Sequence, residues 1–267
     1  MKTFKRTSTL SVAMKEEFPP QTLDGIHEFI RQLVKESGAE GVVIGLSGGI
    51  DSALVSRLCV DVLGGDRVLN VFMPSSSSPA EDHDLTRRYS EMIGSEYRTV
   101  PIQAMVDAFR SVLVTDDRLE LGNIMARCRM TVLYHMAKSE NRLVMGTGNR
   151  SELLMGYFTK HGDGACDALP IGNLYKTQVR QLSIHLGIPD YIVDRVPSAG
   201  LWEGQSDEQE MGISYENLDL ILKGINDDTP PEETASLLDI PLEKVIGIEA
   251  RVAANRHKRH APPLPNP

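Results

Sequence analysis

No stretch of this 267-residue chain approaches the ~20 consecutive apolar residues of a membrane-spanning helix. The expectation is a protein without a membrane partner. Cysteine is scarce as well. Cys59, Cys128 and Cys166 lie far apart with no C-x-x-C between them, which argues against a zinc site and a disulfide framework. A reducing compartment, the cytoplasm, is expected, with Cys59 and Cys128 as small core residues of helices. Basic charge is also short: 28 Lys and Arg against 37 Asp and Glu leave a net charge of −9. Neutralising many phosphates needs a basic face, so no nucleic-acid partner is expected. The tail HKRH, residues 257–260, is the compact exception. The N-terminus, MKTFKRTSTLSVAMKEEF, is basic but has no continuous apolar core, and residues 1–19 read as a flexible arm rather than a signal peptide.

What is present is an alternation of strand and helix patterns. Ile26, Phe29, Ile30, Leu33 and Val34 recur at helical spacing over 21–37, and Gly38 follows as a stop. Gly41–Leu46 reads as a buried strand and a helix runs from about Ile50 to Gly64. Arg67–Met73 is a second strand, residues 75–78 a flexible serine loop, 80–93 a helix, and Tyr97–Ile102 a third strand. Helices over 103–114 and 119–138 precede a fourth strand, Arg142–Met145. This order predicts an α/β fold with a parallel sheet flanked by helices. Beyond residue 160 the pattern turns to loops and short helices, at about 176–186, 214–223, 230–238 and 241–254. The final residues, 261–267, form a proline-rich tail without regular structure.

Two polar, glycine-bearing turns, 45–52 and 146–152, follow directly after apolar strands. Ligands of such sheets sit beyond the carboxyl ends of the strands, so both turns should open on one edge. The first, GLSGGIDS, is neither a Walker loop nor a G-x-G-x-x-G turn. Its glycines admit a close ligand, and its helix N-terminus attracts an anion. Asp51 in that helix's first turn therefore has two readings. It gains roughly 0.3–1 kcal/mol from the helix dipole, or it holds Mg²⁺ beside a polyphosphate, with Glu152 of the second turn as the other carboxylate.

SGGIDS, residues 47–52, resembles the pyrophosphate-binding motif of the ATP pyrophosphatase group. GNIMARCRM (122–130), GTGNRSE (146–152), TKHGDGACDALPIGNLYKTQVR (159–180), PSAGLWEGQSDEQEMGISY (197–215) and HKR (257–259) follow in order, and together they resemble the NAD⁺ synthetase family. GTGNRSE departs from the GTDHAAE form of some members, but its threonine and acidic residue hold their places.

The resemblance implies a single adenine-nucleotide alpha hydrolase-like (Rossmann-like) domain over residues 20–260 and an ammonia-dependent ligase. In that reaction the nicotinate carboxylate of deamido-NAD⁺ attacks the α-phosphate of ATP and pyrophosphate leaves. Ammonia then attacks the acyl-adenylate, yielding NAD⁺ and AMP. ATP is then bound by Gly45, Leu46, Ser47, Gly48, Gly49, Ile50, Asp51, Ser52, Thr147, Lys176 and Ser198, and Mg²⁺ by Asp51 and Glu152. Arg127, Lys160, Asp167, His257 and Lys258 contact deamido-NAD⁺, the last two reaching a partner subunit of a homodimer. Asp51 and Lys176 act in catalysis, and Asp163 would bind ammonium and take its proton. Read without the resemblance, Lys176 and Arg127 are solvated surface residues and Asp163 is a turn residue between glycines. Segments 75–84 and 203–212 are expected to order over bound nucleotides as lids.

Three rivals remain at this point. A glutamine-dependent relative carries an extra amidase domain, for which no room is expected before residue 20. A tRNA-modifying adenylating enzyme fits poorly with the acidic charge and the missing cysteine pair. A nucleotide sensor without turnover would not need Asp51, Glu152 and Lys176 together.

Overall fold

Strand burial explains the sheet. In a computed structural model of the chain, which describes residues 20–198, 200, 202 and 204–265, β1 (Gly41–Gly45) and β2 (Val68–Phe72) are covered on both faces. Near-continuous apolar strands of this kind belong to parallel sheets with helices on each side. The sheet has four strands in the order β3-β2-β1-β4, with β3 at Glu96–Thr99 and β4 at Arg142–Met145, and every pairing is parallel. Successive strand residues point to opposite faces. Val42 and Ile44 therefore join one apolar cluster with α1 (Pro20–Ser37) and α2 (Ile50–Leu63), through Ile30, Val34, Leu54 and Leu58. Val43 joins the other, with Val106 of α4 (Gln103–Leu113) and Met125 of α5 (Arg118–Ser139). The helix α3 (Glu81–Ile93) lies between β2 and β3 in the chain.

β1 lies between β2 and β4, so the chain leaves its C-terminal end toward one side of the sheet and later returns on the other. That is a topological switch point, where doubly wound folds open a crevice. After β4 come α6 (Arg150–Met155), α7 (Lys176–His185), α8 (Asp190–Val193), α9 (Asp207–Met211), α10 (Tyr215–Asn226), α11 (Pro231–Leu238) and α12 (Leu242–Ala254). Met155, Tyr175, Leu218, Ile221, Leu222 and Val245 form a third cluster that fixes the last helices against α6. No helix of the described residues is long and apolar enough to cross a membrane.

Several local expectations change. The second strand starts at Val68, because Gly64 (φ +84°) leads into a 3₁₀ turn at Gly65–Arg67. β3 ends at Thr99, although Val100 and Ile102 still donate to the carbonyls of Phe72 and Pro74 at 2.9 Å each. Pro101, which has no N–H, lies between those two donors. The serine run is a bonded turn, not a loose loop: Ser78 N donates to Ser75 O (3.1 Å) and Ser76 N to Gln103 Oε1 (2.7 Å). Residues 261–265 are exposed and irregular, as expected of the tail. The N-terminal arm 1–19 lies outside the described residues, as do positions 199, 201, 203, 266 and 267.

Asn70, fully buried in β2, ties three elements together. Its Nδ2 donates to Ser90 Oγ (3.1 Å) and Ser95 Oγ (2.8 Å), and its Oδ1 accepts from Ser56 Oγ at 2.9 Å. Removing the amide strands buried hydroxyls. Asn70→Ala should lower the unfolding free energy by roughly 1–3 kcal/mol, read from urea denaturation at an unchanged m-value.

Candidate active site

The signature turn begins where β1 ends. Gly48 takes φ +84°, a backbone that side chains rarely adopt, and Gly49 enters α2 in an extended conformation. Ser52 Oγ stitches the turn, accepting from Ser47 N (3.2 Å) and donating to Gly49 O (3.0 Å). The first bond of the helix runs from Ala53 N to Gly49 O at 3.2 Å. The N–H groups of Ile50, Asp51 and Ser52 therefore have no helical acceptor and form an anion-binding end.

Asp51 does not cap its own helix. Its Oδ1 accepts from Asn149 Nδ2 at 2.9 Å, and its Oδ2 is paired with the Lys176 ammonium. Glu152 Oε1 lies 3.4 Å from the same Lys176 Nζ. The two turns thus meet around one cation, the Lys176 ammonium, where the sequence reading has Mg²⁺ between the two carboxylates. Lys176 is 7% exposed, which rules out the surface-lysine reading. Its backbone N donates to Ser151 Oγ (3.0 Å), and its ammonium sits 5.3 Å above the Tyr215 ring. Burial works against the ammonium, but the charges of Asp51 and Glu152 outweigh it and hold Lys176 above the usual lysine range. Burial and then the Asp51 charge push Glu152 upward.

Asn149 went unassigned in the sequence. It is fully buried and caps α6, accepting from Glu152 N (3.0 Å) while Glu152 Oε2 accepts from Asn149 N (3.3 Å). The N-x-x-E spacing of this capping box was a readable signal. The helix it starts, α6, falls partly within the segment read as a turn, because six residues are too few to show a period. Arg195 had no such signal. Its Nη1 donates to Gly48 O (3.2 Å), and its Nη2 pairs with Asp82 at 2.6 Å. Asp207 is a third buried acid whose charge acts on Lys176, and it accepts from Tyr215 OH at 3.1 Å. Residues 204–212 are accordingly not a bare loop. They contain α9 and are held by Tyr215 N donating to Glu208 Oε1 (2.8 Å) and Tyr157 OH donating to Glu210 Oε2 (2.6 Å).

A second group of expected residues lies around the loop after α6. Asp163 Oδ1 accepts from Thr159 N (2.8 Å), which is the turn role, and burial of the carboxyl group pushes its pKa upward. Arg127, which is exposed, donates to the Lys160 carbonyl at 3.3 Å, so these two are neighbours. Asp167 is engaged in the fold, accepting from Val144 N (2.7 Å) and Tyr134 OH (3.4 Å). Lys258 is engaged within its own chain, donating to the carbonyls of Gly156 (2.7 Å) and Phe158 (3.0 Å), whereas His257 is exposed. Thr147, Gly148, Glu152, Phe158, Asp163 and Gly164 line one small cleft of about 50 Å³. The two groups are therefore joined. Ser198 is exposed, its Oγ accepting from Gly200 N at 3.1 Å, and it makes no bond to the Lys176 cluster. A larger cavity of about 160 Å³, lined by Ser76, Ser77, Arg110, Arg118 and Met125 among others, includes none of the cluster residues.

The chain as a whole is similar to known proteins. The family model described as NAD synthase matches residues 22–262. The chain belongs to the NAD synthase family. It is 47% identical over 244 residues to the NH(3)-dependent NAD(+) synthetase of Methanosarcina mazei, covering 90% of this chain and 95% of that protein. Among solved structures it is similar to an NMN synthetase from Francisella tularensis (TM-score 0.82, 37% identity, 93% of this chain and 99% of the other). It is also similar to an NH3-dependent NAD synthetase from Campylobacter jejuni (TM-score 0.79, 32% identity, 92% and 98%). Family membership supports the resemblance read from the motifs.

The cluster makes a clear energetic demand. Lys176→Met leaves two neighbouring carboxylates without their cation. It should destabilise the protein by about 3–5 kcal/mol in denaturant melts without added metal, and Asp51→Asn in that background should restore part of the loss.

Proposed function

We propose that this chain amidates deamido-NAD⁺ with ammonia at the expense of ATP, which is cleaved to AMP and pyrophosphate. The observation that carries this reading is the meeting of an anion-binding helix end, two carboxylates and a buried lysine at the sheet's switch point. A carboxylate resists attack by ammonia because its charge repels the nucleophile and oxide leaves poorly. Transfer to the α-phosphorus of ATP removes both obstacles. In this reading Gly45, Leu46, Ser47, Gly48, Gly49, Ile50 and Ser52 enclose the phosphates, with Thr147 and Ser198 beside the nucleotide. Lys176 neutralises charge on the departing pyrophosphate.

The donor set fits Mg²⁺. Two half-buried carboxylates, Asp51 and Glu152, already share a cation in Lys176 Nζ, and Mg²⁺ takes one or two carboxylates with phosphates and water as its remaining ligands. When bound, the ion supplies positive charge where the pyrophosphate develops its own.

The acyl-transfer end is assigned to Asp163, which shares its cleft with Glu152. Its carboxylate binds ammonium and takes one proton from it, which frees the nitrogen lone pair to attack the acyl carbon as AMP leaves. Arg127, Lys160, Asp167, His257 and Lys258 receive deamido-NAD⁺, with Arg127 and Lys160 already adjacent. Residues 75–84 and 204–212 close over the nucleotides and exclude water from the acyl-adenylate. We place the enzyme in the cytoplasm, in keeping with three free cysteines.

The likeness to an NMN synthetase favours a second reading, the same amidation on a mononucleotide acid. Purified protein with Mg-ATP and an ammonium salt should form NAD⁺ and AMP in equal amounts from deamido-NAD⁺. Glutamine in place of ammonium should give none. A higher kcat/KM with the mononucleotide acid would select the second reading. Asp51→Asn should lower kcat by about 10²–10³-fold, the loss typical of one transition-state charge contact.

The homodimer has its own support. At the end of α4, Val112 and Val114 are 79% and 88% exposed, beside exposed Phe109, Leu113 and Leu119. Isolated apolar side chains are ordinary on a surface, but four grouped at the end of α4, with Leu119 following at the start of α5, suit a partner surface. Replacing Val112 and Leu113 together by Glu should shift the sedimenting species from dimer to monomer.

A further inference from the structure

α10 carries Asp219, a carboxylate with no exposure at all. Its Oδ1 accepts from Ser151 Oγ. Its Oδ2 accepts from Thr177 N (2.8 Å) and Thr177 Oγ1 (2.9 Å). Ser151 and Thr177 are the second residues of α6 and α7. Two helix N-termini therefore end on one buried anion, a favourable place for negative charge. The same Ser151 Oγ accepts from Lys176 N at 3.0 Å, which closes a chain of bonds between the two helix ends.

The residues beside those contacts matter to the nucleotide. Glu152 follows Ser151, and Lys176 precedes Thr177. The distance of 3.4 Å between the Glu152 carboxylate and the Lys176 ammonium spans the same pair of helix ends that Asp219 clasps from below. Tyr215 lies one turn before Asp219 on α10, on the same face, and its ring sits 5.3 Å from the Lys176 ammonium. One helix face thus supports Lys176 twice, through its ammonium and through its helix end.

We propose that Asp219 is a positioning residue: by joining the N-termini of α6 and α7 it sets the separation of Glu152 and Lys176, and so the geometry that receives the metal-bound nucleotide. It touches neither substrate nor the reacting atoms. This inference rests on the assignment of Glu152 and Lys176 to the metal-bound nucleotide. Asp219 lies outside every motif the sequence singled out, and it makes the C-terminal helices part of the phosphate site.

The test is calorimetric titration of ATP into Asp219→Asn, with Mg²⁺ and with chelator, alongside steady-state kinetics and thermal melting. Metal-site partners beyond the ligands typically change metal affinity by about 10–100-fold. Asp219→Asn should therefore raise the Mg²⁺ half-saturation and the KM for ATP by about tenfold or more, leaving the KM for deamido-NAD⁺ within about twofold. With chelator present the ATP affinity should fall by less than it does with Mg²⁺, because only Lys176 of the displaced pair then meets the phosphates. Thr177→Val should move the same constants in the same direction by less, and Thr177→Ser should restore them. If Asp219→Asn does not fold, the Thr177 pair decides. A lowered melting temperature with unchanged Mg²⁺ dependence, or equal constants for Val and Ser at position 177, would overturn the proposal. Glu152→Gln run in parallel separates the two levels. If it leaves the Mg²⁺ dependence intact, the site assignment itself fails and this inference with it.

Discussion

Two carboxyl groups that face one another in a half-buried cleft either share a proton or stay ionised together around a cation. Asp51 and Glu152 gather around such a cation, Lys176, whose ammonium is buried with them. The magnitudes show why this interaction governs its surroundings. A first-turn carboxylate gains only roughly 0.3–1 kcal/mol from a helix dipole, whereas breaking a buried ion pair costs about 3–5 kcal/mol. Asp51 is accordingly turned away from the N–H groups of its own helix and toward Lys176 and Asn149. Those N–H groups are thereby left for the phosphates of a ligand. The helix end and the carboxylate do not compete, because the carboxylate is committed elsewhere.

The sheet is what lets three distant residues share one charge cluster. Asp51 follows β1, Glu152 follows β4, and β1 and β4 are parallel neighbours in the sheet. Their following turns leave on the same edge, a few ångströms apart, although 100 residues separate them in the chain for example at Val42 and Leu143. Lys176 has no strand to bring it there. It is placed by the start of α7, whose backbone is bound to Ser151 of α6. The parallel topology supplies the two acids, and helix-end hydrogen bonding supplies the base.

The C-terminal helices then serve more than packing. Their apolar cluster includes Met155 and Tyr175, the residues that end α6 and precede α7. Lys258 reaches back to the carbonyls of Gly156 and Phe158, beside the cleft that contains Asp163. The cleft joins Glu152, beside the Lys176 cluster, to Asp163, where we propose that the amide forms. A short path between the two suits a reaction whose intermediate is hydrolysed by water if it leaves the site.

Much of this was legible in the chain. The alternating strand and helix patterns determine the α/β class, because burial on both faces of a sheet and on one face of a helix leaves different periodicities. SGGIDS and GTGNRSE identify the two turns; SGGIDS resembles the ATP pyrophosphatase group, and the ordered blocks from GNIMARCRM to HKR carry the resemblance to the NAD⁺ synthetase family and with it the reaction. Asn149 could have been read from its spacing to Glu152, since a capping box is local. Asp219, Arg195 and Asp207 could not. Each is an ordinary polar residue in its own segment; Asp219 and Arg195 acquire a role through bonds to residues far along the chain, and Asp207 through its charge on Lys176. The same holds for Lys176, a surface lysine by its local pattern and a buried cation in the fold. Local periodicity and turn chemistry are written in neighbouring residues, and so the sequence determined the elements and the family. Which charges meet depends on how those elements pack, and only the tertiary structure decided that.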